Sequence, residues 1–138
     1  MPRALVGLTL VAVIVVGGFL GAGDIRRSRA AEGPSVASAL STHVLDTASG
    51  RPVAGVPVRL VRDGKTLGLG KTDADGRLEL GPAPLEAGTY QLIFDVHGVY
   101  PKSFYPEITV SFQIGDPAAH LHLPILLSPF GFTTYRGS

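Results

Sequence analysis

The sequence predicts an all-β sandwich of eight short strands, on three observations. Turn-forming clusters cut the chain about every eight to twelve residues from Leu40 onward, period-two alternation runs between them, and no long window carries a helical period. At 138 residues the chain holds one small domain and an N-terminal appendage. It falls short of the roughly 150 to 250 residues that large cofactor-binding scaffolds occupy.

The first strand spans 40–46 and closes on the small turn formers Thr47-Ala48-Ser49-Gly50. The second, 56–62, ends on Asp63-Gly64, a strong hairpin signal, and Pro57 near its start fits a strand beginning or an edge. The third spans 66–72. Asp73-Ala74-Asp75-Gly76 then turns the chain into Arg77-Leu78-Glu79-Leu80, whose alternation sends Leu78 and Leu80 to the core and Arg77 and Glu79 to the opposite face. A loop through Pro82-Ala83-Pro84 to Gly88 leads to the fifth strand, 89–96. The last three span 108–114, 120–127 and 131–135.

Composition narrows the chemistry. The chain has no cysteine, which excludes disulfides, thiolate metal sites and cysteine nucleophiles, so catalysis would rest on His, Arg, Asp, Glu, Ser or Tyr. From Glu32 onward eight basic residues face ten acidic ones, a net of −2 with no basic stripe. Nucleic acid is thereby excluded as a partner.

Residues 1–31 read as an export segment. A single Arg3 precedes an uncharged apolar run, 4–23, that is long enough to span a bilayer and longer than the core of an ordinary signal peptide. Gly17, Gly18, Gly21 and Gly23 weaken the helix end, and Ser28-Arg29-Ala30 offers small residues for cleavage after Ala30. Against cleavage, the positive charges of Arg26, Arg27 and Arg29 resist translocation of the chain beyond them. A signal peptide and a retained membrane anchor both fit, and contact with a membrane is expected only through an uncleaved segment. The expected organisation is this segment, a linker at 32–38 and a domain at 39–138. Export to the periplasm is the expected localisation, with an anchored or a cytoplasmic chain as the alternatives.

Three sequence features carry candidate chemistry. In the strand 120–127, His120 and His122 share one face while Leu121 and Leu123 share the other. Such a pair either ligates a metal, although no cluster of supporting ligands stands near it, or consists of solvated and hydrogen-bonded surface imidazoles. His43 lies mid-strand on the face opposite Thr42 and Val44, in a structural or a functional role. The terminal Tyr135-Arg136-Gly137-Ser138 keeps aromatic content to the end, as either a folded-in site element or an edge strand.

From Leu40 to Ser138 the chain resembles the transthyretin-like family, and within it the hydrolases of 5-hydroxyisourate. The matching stretches are Ser41-Thr42-His43-Val44-Leu45-Asp46, the turn from Lys71 to Arg77, Phe104-Tyr105-Pro106-Glu107-Ile108, the run from His120 to Pro129, and Tyr135-Arg136-Gly137-Ser138. The resemblance implies an eight-stranded transthyretin-like β-sandwich of two four-stranded sheets with one short helix. It also implies a homotetramer, paired edge to edge and then face to face around a central channel that holds the sites. Catalytic positions of the family match His43, Arg77 and His122, where its hormone carriers hold Lys, Glu and Thr. Tyr135, Arg136 and Gly137 match the tail that lines the hydrolase site, Ser138 ends it, and His120 is given a supporting role.

The implied reaction is hydrolysis of 5-hydroxyisourate to 2-oxo-4-hydroxy-4-carboxy-5-ureidoimidazoline in urate degradation, with no metal or organic cofactor. His43 or His122 would activate water, and Arg77 would stabilise the oxyanion. Ser138 would donate to the leaving nitrogen or position the water. If Arg77 and Arg136 both approach the site, their charge would hold neighbouring imidazoles neutral. Two departures from the family stand out: the stretch between Phe94 and Phe104 is shorter by about one helical turn, and Leu121 replaces a common Tyr. The competing readings are a non-catalytic small-molecule carrier on the same scaffold and a membrane-tethered β-sandwich binding module.

Overall fold

The computed structural model describes residues 38–138, which form nine strands: β1 (Ser38–Asp46), β2 (Arg51–Pro52), β3 (Pro57–Arg62), β4 (Lys65–Lys71), β5 (Arg77–Pro82), β6 (Gly88–Asp95), β7 (Glu107–Ile114), β8 (Leu121–Ser128) and β9 (Gly131–Thr134). The expected export segment, and the linker up to residue 37, lie outside the described residues. Each of the eight expected strands is present, with ends displaced by at most two residues.

The strands make two sheets. One has the order β4-β3-β6-β7, all antiparallel. In the other, β1 pairs in parallel with β8, β8 continues antiparallel to β9, and the second edge of β1 is shared by β5 and β2. The change of partner falls at Val44, whose N–H donates to Gly76 O (2.8 Å) while its carbonyl accepts from Val53 N (2.9 Å). The two-residue β2 therefore makes this sheet five-stranded where four strands are expected. Pro57 opens β3, where its missing N–H costs no interior ladder bond.

Alternation fills the space between the sheets. Leu40 and Val44 of β1, Val58 and Leu60 of β3, Leu92 and Phe94 of β6, and Ile125 and Leu127 of β8 are all fully buried. Thr42 is buried among them, its hydroxyl satisfied by donation to Leu123 O at 2.6 Å. Leu80 is buried and Leu78 half-buried against the core, while Arg77 and Glu79 are exposed.

The described residues contain no helix. Where the family resemblance implies a short one, the chain makes a single turn, with Tyr100 N donating to Val96 O at 2.8 Å and Val99 N to the same carbonyl at 3.2 Å. The turn cannot propagate, because Pro101 brings no N–H and disfavours helical geometry at Tyr100.

Candidate active site on the outer face of the β1–β5–β8 sheet

Because Leu40, Thr42 and Val44 point inward, Ser41, His43 and Leu45 occupy the outer face of β1. The same rule puts Arg77 and Glu79 outward on β5, and His122 outward between the buried Leu121 and Leu123 on β8. Register then decides which of them meet. His43 stands opposite Arg77 and Ser41 opposite Glu79 across the β1–β5 ladder, while Ser41 stands opposite His122 across the β1–β8 ladder.

The delivery of Arg77 is local. Asp73 Oδ1 accepts from Asp75 N (2.9 Å) and from Arg77 N (2.8 Å), and Gly76 N donates to Asp73 O (2.9 Å). Gly76 has φ +71°, and a Cβ there would lie 2.5 Å from Val44 O, so this turn requires glycine. Arg77 comes next as the first residue of β5, beside a shallow groove of about 390 Å³ also lined by Lys71, Asp73, Leu78 and Glu79.

The C-terminal tail is folded onto His122. Gly137 bridges to His122 outside the named strands, with Gly137 N donating to His122 O at 2.8 Å. A Cβ at Gly137 would approach His122 Cδ2 to 2.5 Å, so only glycine lets the tail lie against the ring. Tyr135 and Ser138 are exposed next to this contact. Arg136 lines a cavity of about 180 Å³ with Gln113, Ile114, Gly115, Asp116, Ala119 and Leu121. Of the two arginines in the expected site, Arg77 acts by its charge on the His122 ring.

His122 is the electrostatically distinctive group. Its pKa is lowered from the ordinary histidine value, first by burial and then by the positive potential of Arg77, His43 and His120, against a smaller raising effect of a backbone hydrogen bond to Ser41. Its ring is therefore held neutral near pH 7, with one nitrogen lone pair available. Nδ1 lies 2.9 Å from Ser41 Oγ, and the same oxygen lies 2.9 Å from Nε2 of the exposed His120. Among the described residues no group of three or more His, Asp or Glu side chains is arranged to hold a metal ion.

The face thus combines a neutral base and a guanidinium with the hydroxyl of Ser41 and the carboxylate of Glu79, two groups not expected in the site from the sequence. Both had a signal there: they alternate with His43 and with Arg77 on the same strand faces. What alternation lacks is the pairing of β1 with β8 across 81 positions, which alone brings Ser41 to His122.

Residues 40–137 match the model of the HIUase/Transthyretin family. A 5-hydroxyisourate hydrolase of Mus musculus is 42% identical over 113 residues, covering 73% of this chain and 96% of the mouse protein. The solved structure of Klebsiella pneumoniae 5-hydroxyisourate hydrolase, 41% identical, superposes with a TM-score of 0.67 over 74% of this chain and 100% of that one. Transthyretin from Sparus aurata, 28% identical, superposes with a TM-score of 0.64 over 73% of this chain and 97% of its own. The matched span contains the paired site residues of both ladders, and the chain belongs to the HIUase/transthyretin family.

Proposed function

We propose that the chain is a hydrolase that opens the ring of 5-hydroxyisourate, giving 2-oxo-4-hydroxy-4-carboxy-5-ureidoimidazoline in urate degradation. The observation that carries this reading is the convergence of His43, Arg77 and a neutral His122 on one outer face, with the tail packed on His122 through Gly137. The names of the mouse and Klebsiella relatives point the same way.

In this reaction the lone pair of His122 takes a proton from water as the water oxygen attacks a ring carbonyl. Arg77, permanently charged and planar, stabilises the oxyanion, and His43 beside it binds and orients the ring. Ser138 positions the attacking water, and Tyr135, Arg136 and Gly137 line the site. The chemistry needs no metal and no organic cofactor.

The outer face is open to solvent in one chain, and a ring substrate needs walls on both sides. A homotetramer, edge-paired and then stacked face to face, supplies the second wall. Exposed Phe104, Phe130, Phe132 and Tyr135 are the kind of surface such contacts bury. Export to the periplasm, with residues 1–31 as signal or anchor, completes the proposal.

The test is the ultraviolet decay of freshly generated 5-hydroxyisourate with purified protein and chelator. Acceleration supports the hydrolase. A folded protein that leaves the decay unchanged favours a small-molecule carrier on the same scaffold.

A further inference from the structure

Ser41 makes two polar contacts that the hydrolytic scheme does not use. Ser41 Oγ sits 2.9 Å from Nδ1 of His122 and 2.9 Å from Nε2 of His120, so one hydroxyl joins the half-buried imidazole to the exposed one. A hydroxyl has a single proton and can donate to only one of the two rings while accepting from the other. The tautomers of His120 and His122 are therefore coupled through Ser41.

We propose that Ser41 is a positioning residue that fixes the His122 tautomer and passes its Nδ1 proton to His120 during hydrolysis. This inference rests on the hydrolase reading and deepens it. Before reaction His122 carries its proton on Nδ1 and donates it to Ser41 Oγ, while the Ser41 hydroxyl donates to Nε2 of His120. Nε2 of His122 is then the lone pair that meets water.

The proton balance closes. As the water oxygen bonds to the ring carbonyl, a water proton moves to Nε2 of His122. The Nδ1 proton moves to Ser41 Oγ as the hydroxyl's own proton moves to His120. When the ring C–N bond breaks, the Nε2 proton goes to the departing nitrogen, and the reverse shift through Ser41 restores the starting tautomers. His122 stays neutral throughout, and the transient positive charge sits on His120.

The surroundings favour that placement. An imidazolium at His122 would lie in a half-buried position near Arg77 of β5, His43 of β1 and His120, and these together with burial outweigh the backbone hydrogen bond to Ser41 that favours it. Glu79 of β5, opposite Ser41, is the carboxylate on this face and stands at the same ladder position as the relay. His120 is exposed, where water screens a charge well.

Nitrogen-15 NMR of the full chain reads the tautomer directly. A His122 protonated at Nδ1 is expected, and one protonated at Nε2 overturns the proposal. Ser41→Ala should lower kcat about tenfold, the worth of one hydrogen bond, with KM little changed. Ser41→Thr, which keeps the hydroxyl, should restore most of the rate. His120→Gln, an exposed change that accepts a hydrogen bond but takes no proton, should lower kcat as Ser41→Ala does. Wild-type rates in both Ser41→Ala and His120→Gln overturn the relay. A wild-type chain inactive on 5-hydroxyisourate counts against the hydrolase reading alone, and the tautomer still decides the Ser41 link.

Discussion

The amide of Gly137 donates to the carbonyl of His122 at 2.8 Å, and the absent side chain of Gly137 leaves room for the His122 ring. The tail and the β8 histidine are thus held as one unit, backbone to backbone and backbone to ring. Gly137→Ala would place a methyl 2.5 Å from His122 Cδ2 and push the ring or the tail aside. A misplacement of about 1 Å costs on the order of 100-fold in rate. Steady-state kinetics should show kcat reduced on that scale, while the thermal midpoint changes little because the contact lies at the end of the chain.

His122 also sets a pH dependence. Its folded pKa is lowered, so the folded state binds fewer protons there than the unfolded state does. Stability from this residue is therefore lost as pH falls through the ordinary histidine value and levels off below the lowered one. The same sign applies to catalysis, since only the neutral ring accepts a proton. The acid limb of kcat/KM should lie below pH about 6.5, the unperturbed value. Arg77→Gln removes one source of the lowering, so the limb should move to higher pH as the rate falls, which a kcat/KM profile across the acid and neutral range would show.

The turn that launches Arg77 is a separable element. Gly76→Ala forces a side chain into φ +71° and against Val44 O. A destabilisation of about 1–3 kcal/mol is expected, readable as a lower midpoint in urea. Activity should fall as well, because Val44 N and Gly76 O form the hydrogen bond beside the His43–Arg77 pair.

A fourth expectation concerns Thr72, whose hydroxyl accepts from Val56 N (2.9 Å) and donates to Val53 O (2.8 Å) in a buried position. Thr72→Val keeps the shape and takes both of these side-chain bonds away. Unfolding by urea should reveal a loss of about 2 kcal/mol, with kcat unchanged.

Much of the site was legible in the sequence. Period-two alternation places His43, Arg77, Glu79 and His122 on outward faces, because each neighbours a residue that turns toward the core, such as Val44, Leu78 or Leu123. The Asp-Gly turns mark the hairpin ends by their chemistry. Alternation says nothing about which strands become neighbours, so the parallel β1–β8 ladder, and with it the Ser41–His122 contact, had no local signal. The same holds for β2, whose two residues pair with β1 only because β5 releases that edge at Val44. The implied helix fails at Pro101, a residue the sequence displays, and the cavity that Arg136 borders with Gln113 and Asp116 is assembled from distant segments that composition does not pair.

The most direct test of the proposed site compares three proteins in one assay: the wild-type chain, His122→Ala and His43→Ala, each treated with chelator and checked for β-sheet by circular dichroism. The expected result is rapid decay of 5-hydroxyisourate with the wild type and a loss of at least about 100-fold in His122→Ala, the lower range for a general base. A folded His122→Ala that turns over at the wild-type rate would contradict the assignment of His122 as the base.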